Sequence, residues 1–381
     1  MLRRHSLRVA FVAGMLDRGG AEKQLFYMAR ALVEEGVDVR VCSLGCGEVF
    51  EAELQRAGVQ TVWVGRSAHP ALRTVAVVRA LADFRPHIVQ SAHFYTNLYA
   101  AATALSYGAL GLGALRSNAY REISANGYWG RWLLRLPTAL LANSQAAKRN
   151  AESLGVRPES VYVVPNVIDL AAFDRAAEAE APRQDSSRVV VASVATHVPV
   201  KRLERFLAAL ALARAEVADL VGVLIGAGTE DGGLRAVAER WGLGSGAVSF
   251  LGLRDDVPRL LRGADVLLLT SDEEGFPNAI LEAMAARLPV ITTPAGEAPL
   301  VVQDDVTGYV VPFDDVHGMA KRLVWLARSQ ELRRSLGRAG RLRAEQDYGS
   351  ERLAALLLRS YRDIASARGR EALLKLMPQW G

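Results

Sequence analysis

The sequence predicts an α/β fold made of two doubly wound domains facing a cleft, and three observations predict it. First, 381 residues exceed what one hydrophobic core usually serves. Second, short apolar runs alternate with longer stretches of helical period, the pattern of parallel strands joined by crossover helices. Third, the series is interrupted by a polar, Ala- and Glu-rich stretch near 171–188 and then starts again.

Each element follows in order. Residues 8–14 read as a buried first strand. Met1-Leu2-Arg3-Arg4 leads into it with no small-residue cleavage site behind the apolar run, so no signal peptide is expected. Residues 21–35 form a helix with Leu25, Met28, Ala29 and Leu32 on one face. Strands at 37–44 and 59–64, a helix at 70–84 and a strand at 88–91 continue the series. Between 86 and 115 there is no Asp, Glu, Lys or Arg, a length that would suit a membrane span. His87, Gln90, Ser91, His93, Thr96 and Asn97 make that stretch a poor one, and a buried strand–helix–strand passage is expected. A strand at 139–143 enters a helix from Ser144, and 161–164 is the last strand of the first series. The second series runs 189–194, 221–225, 248–251, 266–270, 290–292 and 308–311, with helices between. Residues 350–367 and 371–377 are helical. The boundaries are therefore a first Rossmann-like domain at 1–170, a linker at 171–188 and a second Rossmann-like domain at 189–361. Ligands of such sheets sit at the carboxyl ends of the strands.

Composition narrows the partners. Cys42 and Cys46 have no second cysteine pair and no nearby histidine, which argues against a zinc site or a disulfide framework and for reduced thiols in a cytoplasmic protein. The net charge of +5 is uneven, with 19 Lys/Arg against 13 Asp/Glu in residues 1–170. That excess suits an anionic partner, a phosphorylated acceptor or an inner membrane surface, and equally an arginine-rich genome. No nucleic-acid partner is expected. Tyr120, Tyr128, Trp129, Trp132 and Leu133 interleave with Arg121, Arg131 and Arg135. This mixture suits peripheral contact with an anionic membrane or a lipid-linked acceptor, and equally a packed helical hairpin.

The sharpest string is Thr270-Ser271-Asp272-Glu273-Glu274-Gly275-Phe276-Pro277-Asn278-Ala279-Ile280-Leu281-Glu282-Ala283-Met284-Ala285. A strand delivers a loop, and a helix begins near Pro277, which suits a first helical turn. Asn278, Ala279 and Ile280 present amides at that helix start, a seat for phosphate. Carboxylates suit sugar recognition because each oxygen accepts from a hydroxyl. Alone, the glutamates would equally suit a solvated acidic turn, with Asp272 or Glu273 capping the helix.

The whole string resembles the Glu-x7-Glu signature of retaining family 4 glycosyltransferases of the GT-B architecture, flanks included. The resemblance extends along nearly the whole chain. Gly19-Gly20-Ala21-Glu22-Lys23 is similar to the family's Gly-Gly-x-Glu loop, where the glycines let backbone approach a diphosphate or the acceptor. It implies donor contact at Gly20 and acceptor contact at Gly19 and Lys23. Ser91-Ala92-His93 resembles the His-x-His position, with Ser91 replacing the first histidine, so only His93 is assigned to the donor sugar. Val194-Ala195-Thr196-His197-Val198-Pro199-Val200-Lys201-Arg202 resembles the diphosphate loop. Lys201 fits the phosphate-binding lysine, while Thr196 fills a slot where many members carry arginine, leaving Arg202 or His197 to compensate. Ile225-Gly226-Ala227-Gly228 is similar to the family's Gly-x-Gly turn, and the string around Arg254 to the base-binding loop. Pro294-Ala295-Gly296-Glu297 and Thr307-Gly308-Tyr309 match the closing motifs, with Leu300 where a glutamate is common.

The resemblance implies a nucleotide diphosphate sugar donor, UDP-linked by association with surface-polysaccharide enzymes, and a saccharide or lipid-linked acceptor. It implies catalytic roles for Glu274, Lys201 and His93, with donor contacts also at Thr196, Arg202, Gly226, Arg254, Gly275, Phe276, Pro277, Asn278, Ala279 and Glu282. Residues 362–381 would cross back to the first domain. No cofactor and no metal are expected, since Lys201 and helix amides would stabilise the leaving diphosphate. A nicotinamide dehydrogenase is disfavoured because no Gly-x-Gly-x-x-Gly exists here. A sugar-nucleotide epimerase of the same architecture and a catalytically silent nucleotide-sugar binder remain as alternatives.

Overall fold

The computed structural model of the chain describes residues 6–178 and 188–378. Both sheets are wholly parallel. The first is ordered β3-β2-β1-β4-β5-β6-β7, from β1 (Arg8–Ala13), β2 (Asp38–Ser43), β3 (Gln60–Trp63), β4 (Ile88–Ser91), β5 (Leu110–Leu115), β6 (Ala139–Ala142) and β7 (Val161–Val163). The second is ordered β10-β9-β8-β11-β12-β13, from β8 (Val189–Val194), β9 (Leu220–Ile225), β10 (Val248–Phe250), β11 (Val266–Leu269), β12 (Val290–Thr292) and β13 (Gly308–Val310). The described residues of 1–167 and 350–381 form one compact unit, and those of 168–349 form another.

Alternation along each strand explains the two-sided burial. Val9 and Phe11 of β1 join the core under helices Gly20–Glu34 and Leu353–Ala367, whereas Ala10 and Val12 join the core under Pro70–Ala80 and Asn97–Tyr107. In the second unit Val191 of β8 faces helix Leu203–Arg214, and its neighbour Ala192 faces helix Asn278–Ala285. The winding therefore reverses between β1 and β4 in one sheet and between β8 and β11 in the other. Those reversals are the topological switch points at which loops diverge and leave a crevice.

The charge-free stretch 86–115 is the strand–helix–strand passage that the sequence predicts, β4, Asn97–Tyr107 and β5, but the helix is buried on one face only, and its Leu105 is 85% exposed. Asn97 is fully buried there and is held by the amide of Ala114, which donates to its Oδ1 at 2.8 Å. Among the described residues no helix is long and apolar enough to cross a membrane. Of the two cysteines, Cys42 is buried and Cys46 exposed, and neither is bridged; burial pushes the Cys42 thiol up to about 12.

Three expectations need correction. Residues 170–178 of the expected linker form helix Leu170–Glu178, with Phe173 and Ala177 buried in the core of the second unit. Composition concealed this because the helix is anchored from far away. Arg341, only 9% exposed, donates to both oxygens of Asp174 at 2.8 and 2.7 Å. Residues 179–187 of the expected linker, and the end of the expected return segment at 379–381, lie outside the described residues. The return to the first unit begins before 362, since helix Leu353–Ala367 packs Leu357, Leu358, Tyr361 and Ile364 into that core, with Tyr361 donating to Gln90. Pro277 precedes the helix Asn278–Ala285 as its N-cap and is not in its first turn.

The Asp174–Arg341 pair gives a testable outcome. The Arg341 guanidinium holds the Asp174 carboxyl below its ordinary value of 3.8. Its contribution is then complete above that value and is lost as pH falls through the lower folded one. Asp174→Ala is expected to cost about 2 kcal/mol at pH 7, less than for a fully buried pair. In urea melts the gap from wild type should close as the pH falls below 3.8.

Candidate active site

In the second unit the switch point brings together the loops that follow β8 and β11. Pairing of Val191 with Val266 and Ala192 with Leu267 sets their register. The amide of Asp272 donates to the carbonyl of Val200 at 2.8 Å, and Thr270 donates from Oγ1 to the carbonyls of Lys201 and Arg202. These ties bring Lys201 Nζ to 2.6 Å from Glu274 Oε1. The buried Ser271 hydroxyl donates to that same oxygen at 2.7 Å. Among the described residues nothing donates to Glu274 Oε2, so one edge of the carboxylate is left to accept from a ligand hydroxyl.

Asp272 is no helix cap. It binds Arg202 Nε at 2.6 Å through one oxygen and Arg205 at 2.9 Å through the other. Arg205 also donates to the carbonyl of Thr270 at 2.7 Å, so a buried guanidinium fixes the start of the glutamate loop. Arg202 itself adopts φ +50, a left-handed conformation that a non-glycine side chain holds only where its surroundings over-determine it. Thr196, which stands in the slot where many members of the resembled family carry arginine, is exposed. Glu273 buries Oε2 without any partner.

The remaining predicted residues are sorted by burial. Phe276 faces the core against Tyr348, ring centroids 5.7 Å apart, and Ala279 is 9% exposed, so both hold the loop from inside. Glu282 stands one turn beyond Asn278 and, like it, is half-buried. Gly226 takes φ +142, and a Cβ there would lie 2.2 Å from the carbonyl oxygen of Ala195, which makes it the contact between the loops after β8 and β9. Arg254 is exposed and forks onto Asp256 at 2.8 and 3.0 Å. Together with Arg259 it holds that carboxyl well below the usual range, so its charge is spent within its own turn. Gly296, at φ +57, packs so closely behind Glu274 that a Cβ would lie 2.1 Å from the Glu274 carbonyl oxygen; Gly275 accepts there from the Glu297 amide at 3.2 Å.

In the first unit the switch point joins the loops after β1 and β4. The Gly14 amide donates to His93 Nδ1 at 3.1 Å, so the ring proton is on Nε2, which donates to Glu22 Oε1 at 2.9 Å. Glu22 is 5% exposed, and its helix starts at the Gly19-Gly20 turn. The His93 carbonyl accepts from Ser91 and Thr96 at 2.6 and 2.8 Å, which gives Ser91 a positioning task in place of the missing histidine. Gly20 is exposed, and the Lys23 amide donates to the Gly19 carbonyl at 3.0 Å. Sequence reasoning missed Glu22, Ser271, Asp272 and Arg205 as site builders. The Gly-Gly-Ala-Glu string held a signal for Glu22, and Ser271 and Asp272 stand inside the glutamate string. Arg205 had none.

Two parallel sheets, each with a polar cluster at its switch point, place the chain in the class of doubly wound α/β proteins, whose ligands bind outside the carboxyl ends of the strands. The family described as Glycosyl transferases group 1 matches residues 174–343, and Glycosyltransferase Family 4 matches residues 18–172. The chain belongs to the family 4 glycosyltransferases, and its fold is of the GT-B type. It is 36% identical over 117 residues to N-acetyl-alpha-D-glucosaminyl L-malate synthase of Bacillus anthracis, covering 31% of each chain. It is 31% identical over 239 residues to D-inositol 3-phosphate glycosyltransferase of Segniliparus rotundus, covering 60% of this chain and 53% of that one. The matches thus span about a third and about half of the length of these curated relatives. HepE of Anabaena in complex with UDP-glucose shares the fold at 21% identity and a TM-score of 0.79, over 93% of this chain and 100% of that one.

Gly296→Ala tests how tightly the glutamate loop is packed. Strain at φ +57 and the clash with the Glu274 carbonyl are expected to cost about 1–3 kcal/mol, read as a lowered urea midpoint.

Proposed function

We propose that this protein transfers a sugar, with retention, from a nucleotide diphosphate donor, UDP-linked, to a saccharide or lipid-linked acceptor in surface polysaccharide or glycoconjugate biosynthesis. The observation that carries this reading is the Lys201–Glu274 pair at the switch point of the second sheet. Lys201 supplies a point cation for the departing diphosphate, and Glu274 keeps a free carboxylate edge for the sugar hydroxyls. Glu282 then accepts from the ribose, and the first unit takes the acceptor. The bond between the anomeric carbon and the diphosphate oxygen breaks while the acceptor oxygen adds from the same face. Its proton passes to the departing phosphate oxygen. No enzyme nucleophile and no divalent ion enter this scheme.

UDP is favoured as carrier by the likeness to HepE, which was crystallised with UDP-glucose. The two curated relatives are named for L-malate and for an inositol 3-phosphate, both anions, which supports an anionic group on the acceptor here. A second reading, a silent nucleotide-sugar binder, draws on the exposed Thr196. Turnover separates the two.

A panel of nucleotide sugars screened by thermal shift should find one that stabilises the protein by about 2.7 kcal/mol at a hundred times its dissociation constant. With that donor, Lys201→Ala should lower kcat by about 100- to 1,000-fold, as for loss of one transition-state donor. The wild-type rate in EDTA should equal that in magnesium. Absence of any shift across the panel, or a rate that EDTA abolishes, would count against the scheme.

We also propose a peripheral contact with an anionic membrane through Tyr128, Trp129 and Trp132, which are 83%, 67% and 57% exposed among Arg121, Arg131 and Arg135. Co-sedimentation with anionic vesicles and not with zwitterionic ones is expected, and Trp129→Ser with Trp132→Ser should reduce it at least fivefold.

A further inference from the structure

Arg116 follows β5 and Asn143 follows β6, so the pairing of Leu115 with Ala142 sets them side by side at the carboxyl edge of the first sheet. The Asn143 amide group donates from Nδ2 to the Arg116 carbonyl at 2.9 Å, which fixes which way the side chain points. Its Oδ1 is then a buried acceptor with no donor, on a residue only 2% exposed. Arg116 is the odder of the two. Its Nε is shut off from solvent and has no acceptor, and its one side-chain contact runs from a terminal nitrogen to the Met28 thioether at 3.3 Å. A thioether is a weak acceptor. Among the described residues no carboxylate pairs with this guanidinium, and Tyr361, the one titratable group acting on it, already donates to Gln90.

A cation drawn from water without a counter-charge loses hydration and gains no attraction in return. Burial pushes the Arg116 guanidinium down to about 10, so it stays charged at neutral pH. Among the described residues no carboxylate makes use of that charge. An unpaired cation beside an unpaired acceptor, at the strand ends where open α/β sheets take ligands, is the complement of a molecule bearing both an anionic group and a hydroxyl. The excess of 19 Lys/Arg over 13 Asp/Glu in residues 1–170 acts in the same direction over a longer range.

We propose that Arg116 and Asn143 form a subsite for a hydroxylated anion, phosphate ester or carboxylate, on the molecule that receives the sugar. Arg116 leaves the Met28 thioether to meet the anion, and Asn143 Oδ1 accepts from the neighbouring hydroxyl. This rests on the transferase reading, with the acceptor held by the first unit.

The test is binding without transfer. The full chain is saturated with UDP, to occupy the Lys201 site, and titrated with glycerol 3-phosphate and, separately, with glycerate. At least one should raise the melting temperature of wild type, and which one does so identifies the anion. Arg116→Met should melt at or above wild type, because it removes a half-buried charge that no carboxylate among the described residues answers, and should bind the same probe at least tenfold more weakly; Arg116→Lys should recover part of that loss. The proposal is overturned if neither anion shifts the UDP-bound wild type, or if Arg116→Met binds the probe as wild type does. A melt of Arg116→Met well below wild type overturns it too, since the arginine would then be structural. Failure of UDP itself to shift the melt would sink the transferase reading, whereas a UDP shift without an anion shift sinks only the subsite.

Discussion

Parallel pairing of β8 with β11 is the constraint on which the candidate chemistry of the second unit depends. A parallel neighbour can be reached only through a crossover, so these two strands must send their following helices to opposite faces of the sheet. Val191 and Ala192, adjacent in β8, belong for that reason to two different cores. The loops diverge above the reversal, and the Asp272–Val200 and Thr270–Lys201 hydrogen bonds hold them at a fixed spacing. Lys201 and Glu274 meet because the sheet order gives them nowhere else to go. The first unit repeats the logic with different atoms: Gly14 after β1 and His93 after β4 meet over the same kind of reversal.

Charge is balanced locally at the switch point of the second unit. Lys201 answers Glu274, and Arg202 and Arg205 share Asp272, so the unliganded loops of the second unit carry little net field of their own. In the proposed scheme a diphosphate would compete with Glu274 for Lys201, and the Ser271 hydroxyl would still hold Glu274 once the ammonium turned toward phosphate. The Glu22–His93–Gly14 chain is different in kind. Every ring nitrogen of His93 is engaged, which makes the imidazole a fixed donor-and-acceptor wall and not a mobile base.

What could be read from the sequence was local. Strand runs such as Val266–Leu269 are short, apolar and bounded, and the glutamate string keeps its residues within one strand–loop–helix unit. What escaped depended on distance along the chain. Leu170–Glu178 has the composition of a linker, and partners distant along the chain, Arg341 among them at 167 positions, turn it into a packed helix. Glu22 and His93 are 71 positions apart, and Arg205 finds Asp272 only once β8 and β11 are paired. Arg254 shows the opposite case, a partner close along the chain: Asp256, two residues on, accepts from it. Phe276 belongs to the motif yet lies in the core, since a motif residue can be needed for its backbone alone.

The hydrogen bond from Tyr361 to Gln90 has a bearing on how the protein is made. Helix Gly20–Glu34 leaves the ribosome early, with Leu25, Met28 and Leu32 facing a layer supplied by Leu353–Ala367. That apolar face must wait until more than 300 further residues have been translated. The second unit, drawn from one continuous stretch, meets no such delay and can close first. Nascent-chain length, and not strand order along the gene, therefore sets the sequence of events, and the earliest-synthesised residues are the ones that a chaperone would have to shield longest.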